Sequence, residues 1–114
     1  LTGIEEVVGD GFVDHHFPTS LPPGPEGVKQ FFANVLGAVF SDMSIEHEEI
    51  IAEGTMVITK FALHARHTAE YRGIPATNKV VVCPAFSMFR IENGKLAEAW
   101  EIADRFGLRE QMKT

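Results

Sequence analysis

Apolar and polar residues change their spacing twice along this chain, and each change marks a new kind of element. After the proline-rich stretch Pro18-Thr19-Ser20-Leu21-Pro22-Pro23-Gly24-Pro25, the residues Val28, Phe31, Phe32, Val35, Leu36 and Val39 recur at helical spacing. Prolines fix φ and remove backbone donors, so the stretch itself reads as an extended loop. Pro25 suits a first helical position and Glu26 the positive end of the helix dipole. The spacing predicts a helix that Ser41-Asp42 ends.

Beyond it the period shortens. Residues 45–52 read as a strand, and Glu53-Gly54 is a tight-turn signal. Residues 56–65 form a long strand, 71–78 a loop, and Lys79 to Ile91 another long strand. Glu92-Asn93-Gly94-Lys95 closes a hairpin, and Leu96 to Ala103 returns as the last strand. Phe106, Leu108 and Met112 mark a short C-terminal helix or turn. A helix followed by a meander of antiparallel strands is an α+β arrangement, with helices on one face of a curved sheet. A sheet wrapped around a helix leaves an apolar cavity at its open end, the ordinary place for a small ligand.

With 114 residues the chain is the size of one domain, residues 1–114, with no internal repeat and no linker. Apolar residues at 45% and charged residues at 23% are ordinary for a globular protein and argue against disorder. The apolar runs are too short to span a bilayer, and no signal peptide is visible, so no membrane partner is expected. Ten basic against sixteen acidic residues give a charge of −6, and the basic residues are scattered singly. Phosphate backbones repel such a chain, so no nucleic acid partner is expected. The single Cys83 forms no internal disulfide, which fits a reducing, cytoplasmic setting.

Nucleophilic catalysis has little support. Cys83 precedes Pro84 in a valine-rich strand and reads as a buried core thiol. His64 and His67 stand three apart on a strand and point to opposite faces, so no metal site is expected. His67 shares its face with Phe61 and Leu63. On the last strand, alternation groups Trp100, Ile102 and Asp104 on one face, setting a carboxylate among apolar side chains. That environment raises a carboxyl pKa and suits an acid or base. Asp104 is equally placed to cap a helix beginning at Arg105, and spacing alone favours the cap. The expected pocket is formed by Phe12, Phe32, Leu36, Phe61, Leu63, Phe86, Met88, Trp100 and Ile102.

Several segments resemble one family in the right order along nearly the whole chain. They are Phe12-Val13-Asp14-His15 with Pro22 to Lys29; Ile51-Ala52-Glu53-Gly54; His67-Thr68-Ala69-Glu70-Tyr71-Arg72-Gly73-Ile74-Pro75-Ala76-Thr77; and Phe89 to Leu96 followed by Glu98, Trp100 and Asp104. Together they are similar to the SnoaL-like polyketide cyclases, also called predicted ester cyclases. The resemblance implies a cone-shaped, nuclear-transport-factor-2-like (cystatin-like) fold. It also implies an intramolecular aldol-type ring closure without a cofactor, on a small apolar carbonyl compound, and a homodimer. Asp104 matches the family's acid/base, and His67 and His15 match pocket-side histidines. This shifts the weight for Asp104 toward catalysis. A non-catalytic small-molecule binder on the same fold is the alternative. The family opens with a long helix ahead of the position of Leu1, which these residues do not include.

Overall fold

The computed structural model describes residues 3–113. A short helix α1 (Ile4–Val7) leads into strand β1 (Val8–Asp14). Helix α2 (Pro25–Gln30) continues as a π-helical turn through Phe31–Leu36. Four long strands follow, β2 (Phe40–Glu53), β3 (Met56–His67), β4 (Val80–Glu92) and β5 (Lys95–Ala103), and helix α3 (Arg105–Lys113) closes the chain. The sheet runs in the order β1-β5-β4-β3-β2, with every neighbouring pair antiparallel except β1 and β5. The α+β class and the mostly antiparallel curved sheet are therefore as the sequence predicts.

The helix end, the start of β2, and α1 and β1 ahead of the proline loop depart from that reading. The helix stops at Leu36 rather than at Ser41-Asp42, and Phe40 already belongs to β2. Phe40 is buried against Ala65, Val81 and Cys83, so packing on the sheet overrides the helical period at its end. The chain also begins its sheet earlier, since β1 lies beside β5 as a parallel edge strand. Gly9 and Gly11 weaken the alternation there and hide the strand from a pattern search.

The hairpin turns follow their residue types. Asn93 and Gly94 both take positive φ (53° and 77°), the geometry that a two-residue turn between twisted strands requires. The proline loop is pinned over β1, with the Gly24 amide donating to the Phe12 carbonyl at 2.8 Å. At Gly27 the Pro22 carbonyl comes so close that any Cβ would collide with it. That contact sets where α2 starts, and so where the π turn lies over the sheet.

Two core clusters hold the helices on the concave face. Val28 of α2 packs on Val8, Phe12 and Ala99, while Leu108 and Met112 of α3 pack on Phe40, Ala65, Val81 and Cys83. The Gln111 side chain bonds both the N–H (2.8 Å) and the C=O (2.7 Å) of Val82, satisfying backbone groups where β5 has ended. No helix among the described residues is long and apolar enough to cross a membrane.

Candidate functional site

A cavity of about 580 Å³ opens between the two core clusters. All four bulky residues of the π turn, Phe31, Phe32, Val35 and Leu36, form its roof. The floor is the concave sheet face, with Ile45 and His47 from β2, Phe61 and Leu63 from β3, Cys83, Ala85, Ser87 and Phe89 from β4, and Glu101 and Ala103 from β5. His16, Phe17 and Pro18 stand at one end, Tyr71, Arg72 and Arg105 at the rim. A π turn carries one extra residue in the ladder, here with the Gly37 amide reaching back five residues to Phe32 at 2.9 Å. Such turns are uncommon and occur often at functional sites.

Four of the nine expected pocket residues line this cavity: Phe32, Leu36, Phe61 and Leu63. The other five do not, and sheet parity explains four of them. Directly paired residues point to the same face, so Phe61 and Leu63 carry Ala85 and Cys83 with them onto the concave side. Ala85 pairs with Ala103 and Ser87 with Glu101, which makes Ala99, Glu101 and Ala103 the concave residues of β5. Phe86, Met88, Trp100 and Ile102 are their outward neighbours.

Phe86 and Met88 face outward with Lys60 and Ile58, their partners on β3; for Trp100 and Ile102 the cause is one extra residue. Ile91 pairs with Leu96 but Arg90 with Glu98, leaving Ala97 as a β-bulge on β5. Counted from the Asn93-Gly94 turn without that bulge, Ile102 would pair with Ala85 and face the cavity. The bulge inverts every later side chain of the strand. Phe12 is displaced for another reason, being buried beneath α2 with Val28 and Ala99.

The expected catalytic trio is dispersed. His15 lies on the outer side, stacked on Trp100 at 4.9 Å and paired with Glu98 at 2.6 Å. His15 and Arg90 together hold the Glu98 carboxyl below its ordinary pKa. His67 points to the concave face, yet its side chain is fully enclosed and outside the cavity lining. Its Nδ1 faces the Thr77 hydroxyl at 2.9 Å and accepts the Thr77 amide at 3.3 Å, while Nε2 is buried without a partner. Asp104 sits just past β5, where its Oδ1 accepts the Gly107 amide at 2.9 Å, the N-cap of α3.

The carboxyl group that does face the cavity is Glu101. Burial pushes its pKa up to about 8, reinforced by a hydrogen bond and charge repulsion from Asp14, with Arg105 acting in the opposite sense. Asp14 ends β1 opposite Ala99, on the same face as Glu101, and its Oδ1 also accepts the His16 amide at 2.8 Å. Glu101, at the junction of β1 and β5, therefore holds a proton near neutral pH. Burial also raises the pKa of the Cys83 thiol, consistent with a core role. The sequence carried a signal for Glu101 that the apolar pattern outweighed. Ala99 and Ala103 flank it on its face, and small residues around a carboxyl leave room for a ligand.

An antiparallel sheet curled beneath helices encloses an apolar cavity with one half-buried carboxyl, on an α+β cone. The model of the SnoaL-like polyketide cyclases matches residues 1–112, and the chain belongs to that family. Solved structures share the fold. TsrD from Streptomyces laurentii is similar with a TM-score of 0.82 and 21% identity, over 96% of this chain and 79% of that one. IdmH, a proposed polyketide cyclase from Streptomyces antibioticus, has a TM-score of 0.78 and 25% identity, over 97% and 85% of the two chains. A proposed polyketide cyclase from Acidithiobacillus ferrooxidans has a TM-score of 0.81 and 20% identity, over 95% and 78%. No curated protein sequence matches this one.

Proposed function

We propose that the protein is a cyclase-type lyase or isomerase in which Glu101 moves a proton at a carbon beside a carbonyl. The observation that carries this reading is the Glu101 carboxyl, raised to about 8 and lining an apolar cavity. A carboxylate with that pKa is a far stronger base than an ordinary one of about 4.3, and at pH 7 about a tenth of it is ionised. It takes the proton from carbon, and the resulting enolate attacks a second carbonyl of the same molecule. One C–C bond forms, and the new alkoxide recovers the proton from the Glu101 carboxylic acid. Asp14 orients the side chain, and no cofactor is needed for this cycle. An apolar substrate folded inside about 580 Å³ is within the range of small-molecule sites.

Asp104 committed as a helix cap favours the non-catalytic binder as the second reading, and Glu101 favours the enzyme. The pH dependence of proton exchange separates them. In deuterated buffer the protein is expected to exchange the α-protons of a phenyl-substituted ketone such as phenylacetone faster than buffer alone. The rate should rise with pH along a limb centred near 8. Exchange no faster than buffer would leave a binder. A limb near 4 would move the chemistry to a different carboxylate.

The second partner we propose is another copy of the chain. Phe86 and Ile102 are 55% and 76% exposed on the outer sheet face, a contiguous apolar surface with Ile58. Such faces mark interaction sites, and two-fold pairing is the commonest way to cover one. Light scattering at micromolar concentration is expected to give twice the chain mass, and Ile102→Glu to give the single mass. A wild-type monomer would end the proposal.

A further inference from the structure

We infer that the cavity takes an apolar ligand bearing an acidic group, held at the rim by Arg72 and Arg105. This rests on reading the cavity as a ligand site, and not on the proton transfer assigned to Glu101. The chain as a whole carries a charge of −6, which repels anions, yet its cavity has the opposite character. Among the described residues Glu101 is the one acidic residue lining it, against Arg72, Arg105, His16 and His47. Among the described residues Arg72, Lys79, Lys95, Arg105 and Arg109 enter no ion pair, and of these Arg72 and Arg105 line the cavity.

Placement at the rim is not accidental for Arg72. Its guanidinium lies 5.5 Å from the centre of the Tyr71 ring, which itself lines the cavity, and that contact holds the charge beside the opening. Arg105 follows β5 directly, with its charge acting on Glu101 across the cavity end. A planar guanidinium on each suits a carboxylate or sulfonate, which it meets with two parallel hydrogen bonds. The aromatic and aliphatic interior accepts the rest of the molecule. An apolar acid would thus enter body first, with its anionic end left between the two arginines.

A matched pair of probes tests this. Anilinonaphthalene sulfonate and phenyl-naphthylamine share one aromatic body and differ in the sulfonate. Their affinities for the full chain are read by fluorescence titration at low salt. The anionic probe is expected to bind about fivefold or more tighter, an advantage that two exposed charge pairs supply. That advantage should shrink with added salt and fall to within about twofold in the Arg72→Gln/Arg105→Gln double variant. Affinity for the uncharged probe should stay unchanged in that variant, which also reports that the cavity is intact. Phe86→Ser/Ile102→Ser, on the outer face, should leave the preference as it was. Equal wild-type affinities, or a preference that survives the arginine substitutions, overturn the inference while leaving the pH profile of Glu101 to stand by itself. A preference lost with the outer-face variant overturns it too, by placing the probe on the sheet surface. If neither probe binds, the ligand site and the function built on it fail together.

Discussion

Glu101→Gln is expected to reduce ketone α-proton exchange, and any ring closure built on it, by about 10²–10⁴-fold, the usual loss on removing a general base. Gln keeps the length and polarity of the side chain and can still donate a hydrogen bond to Asp14, as the protonated Glu101 does. Binding of an apolar probe should therefore survive while turnover falls. Asp104→Asn is the informative contrast. Asn caps a helix nearly as well as Asp, so both folding and turnover should stay close to wild type. Asp104→Ala should lower stability by about 1 kcal/mol through the lost Gly107 contact, again with turnover retained. If Asp104→Asn abolishes exchange and Glu101→Gln does not, the family's aspartate acts here in spite of its cap, and the assignment made above is reversed.

The second large effect is on stability and follows from the same carboxyl. Glu101 is an acid whose folded-state pKa is raised from 4.5 to about 8. The folded state then binds more protons than the unfolded chain between those values, so stability falls as pH rises through that window. The contribution is fully present below 4.5 and fully lost above 8. A shift of this size corresponds to about 2–4 kcal/mol once solvent access to a partly exposed group is allowed for. Glu101→Gln carries no such charge. At pH 9 it is expected to melt on the order of 10 °C above wild type, and at pH 5 close to it. The difference between the two melting curves across pH isolates this group from every other titrating residue. A wild-type curve that runs parallel to that of Glu101→Gln from pH 5 to 9 would show that Glu101 titrates as an ordinary exposed carboxylate. In that case the proton transfer assigned to it loses its physical basis.

These two effects share a structural origin in the edge of the sheet. β1 brings Asp14 alongside β5 and closes the space beside Glu101, so neither carboxyl is fully solvated. The roof depends on an equally local feature. Because the Pro22 carbonyl occupies the space a Cβ would need at Gly27, α2 begins at a fixed point and the π turn reaches the cavity with its four bulky side chains. The surroundings of Glu101 and the cavity wall are thus both set by backbone contacts some distance from that carboxyl.

What the residues alone determined is the set of local elements and their family. Period-two alternation marked β3, β4 and β5 to within about two residues, and Asn93-Gly94 specified its own turn, because each depends only on neighbours in the chain. The ordered segments from Phe12 to Asp104 likewise identified the family, which the match over residues 1–112 bears out. Alternation also grouped Trp100 with Ile102, while Asp104 lies past the strand's end as the cap of α3. Which side of the sheet that group occupies was not a local property. It depends on the register of β5 against β4, and Ala97, an alanine like its neighbour Ala99, carries no mark of the bulge it forms. The strand's two faces differ in a way that misled the pattern as well, since the bulky Trp100 and Ile102 face outward while Ala99 and Ala103 line or underlie an open cavity. A hydrophobic pattern reports which residues avoid water, whether by packing in a core, by waiting for a partner or by surrounding a ligand. Only the pairing of all five strands decided among these, and with it decided that the carboxyl facing the cavity is Glu101.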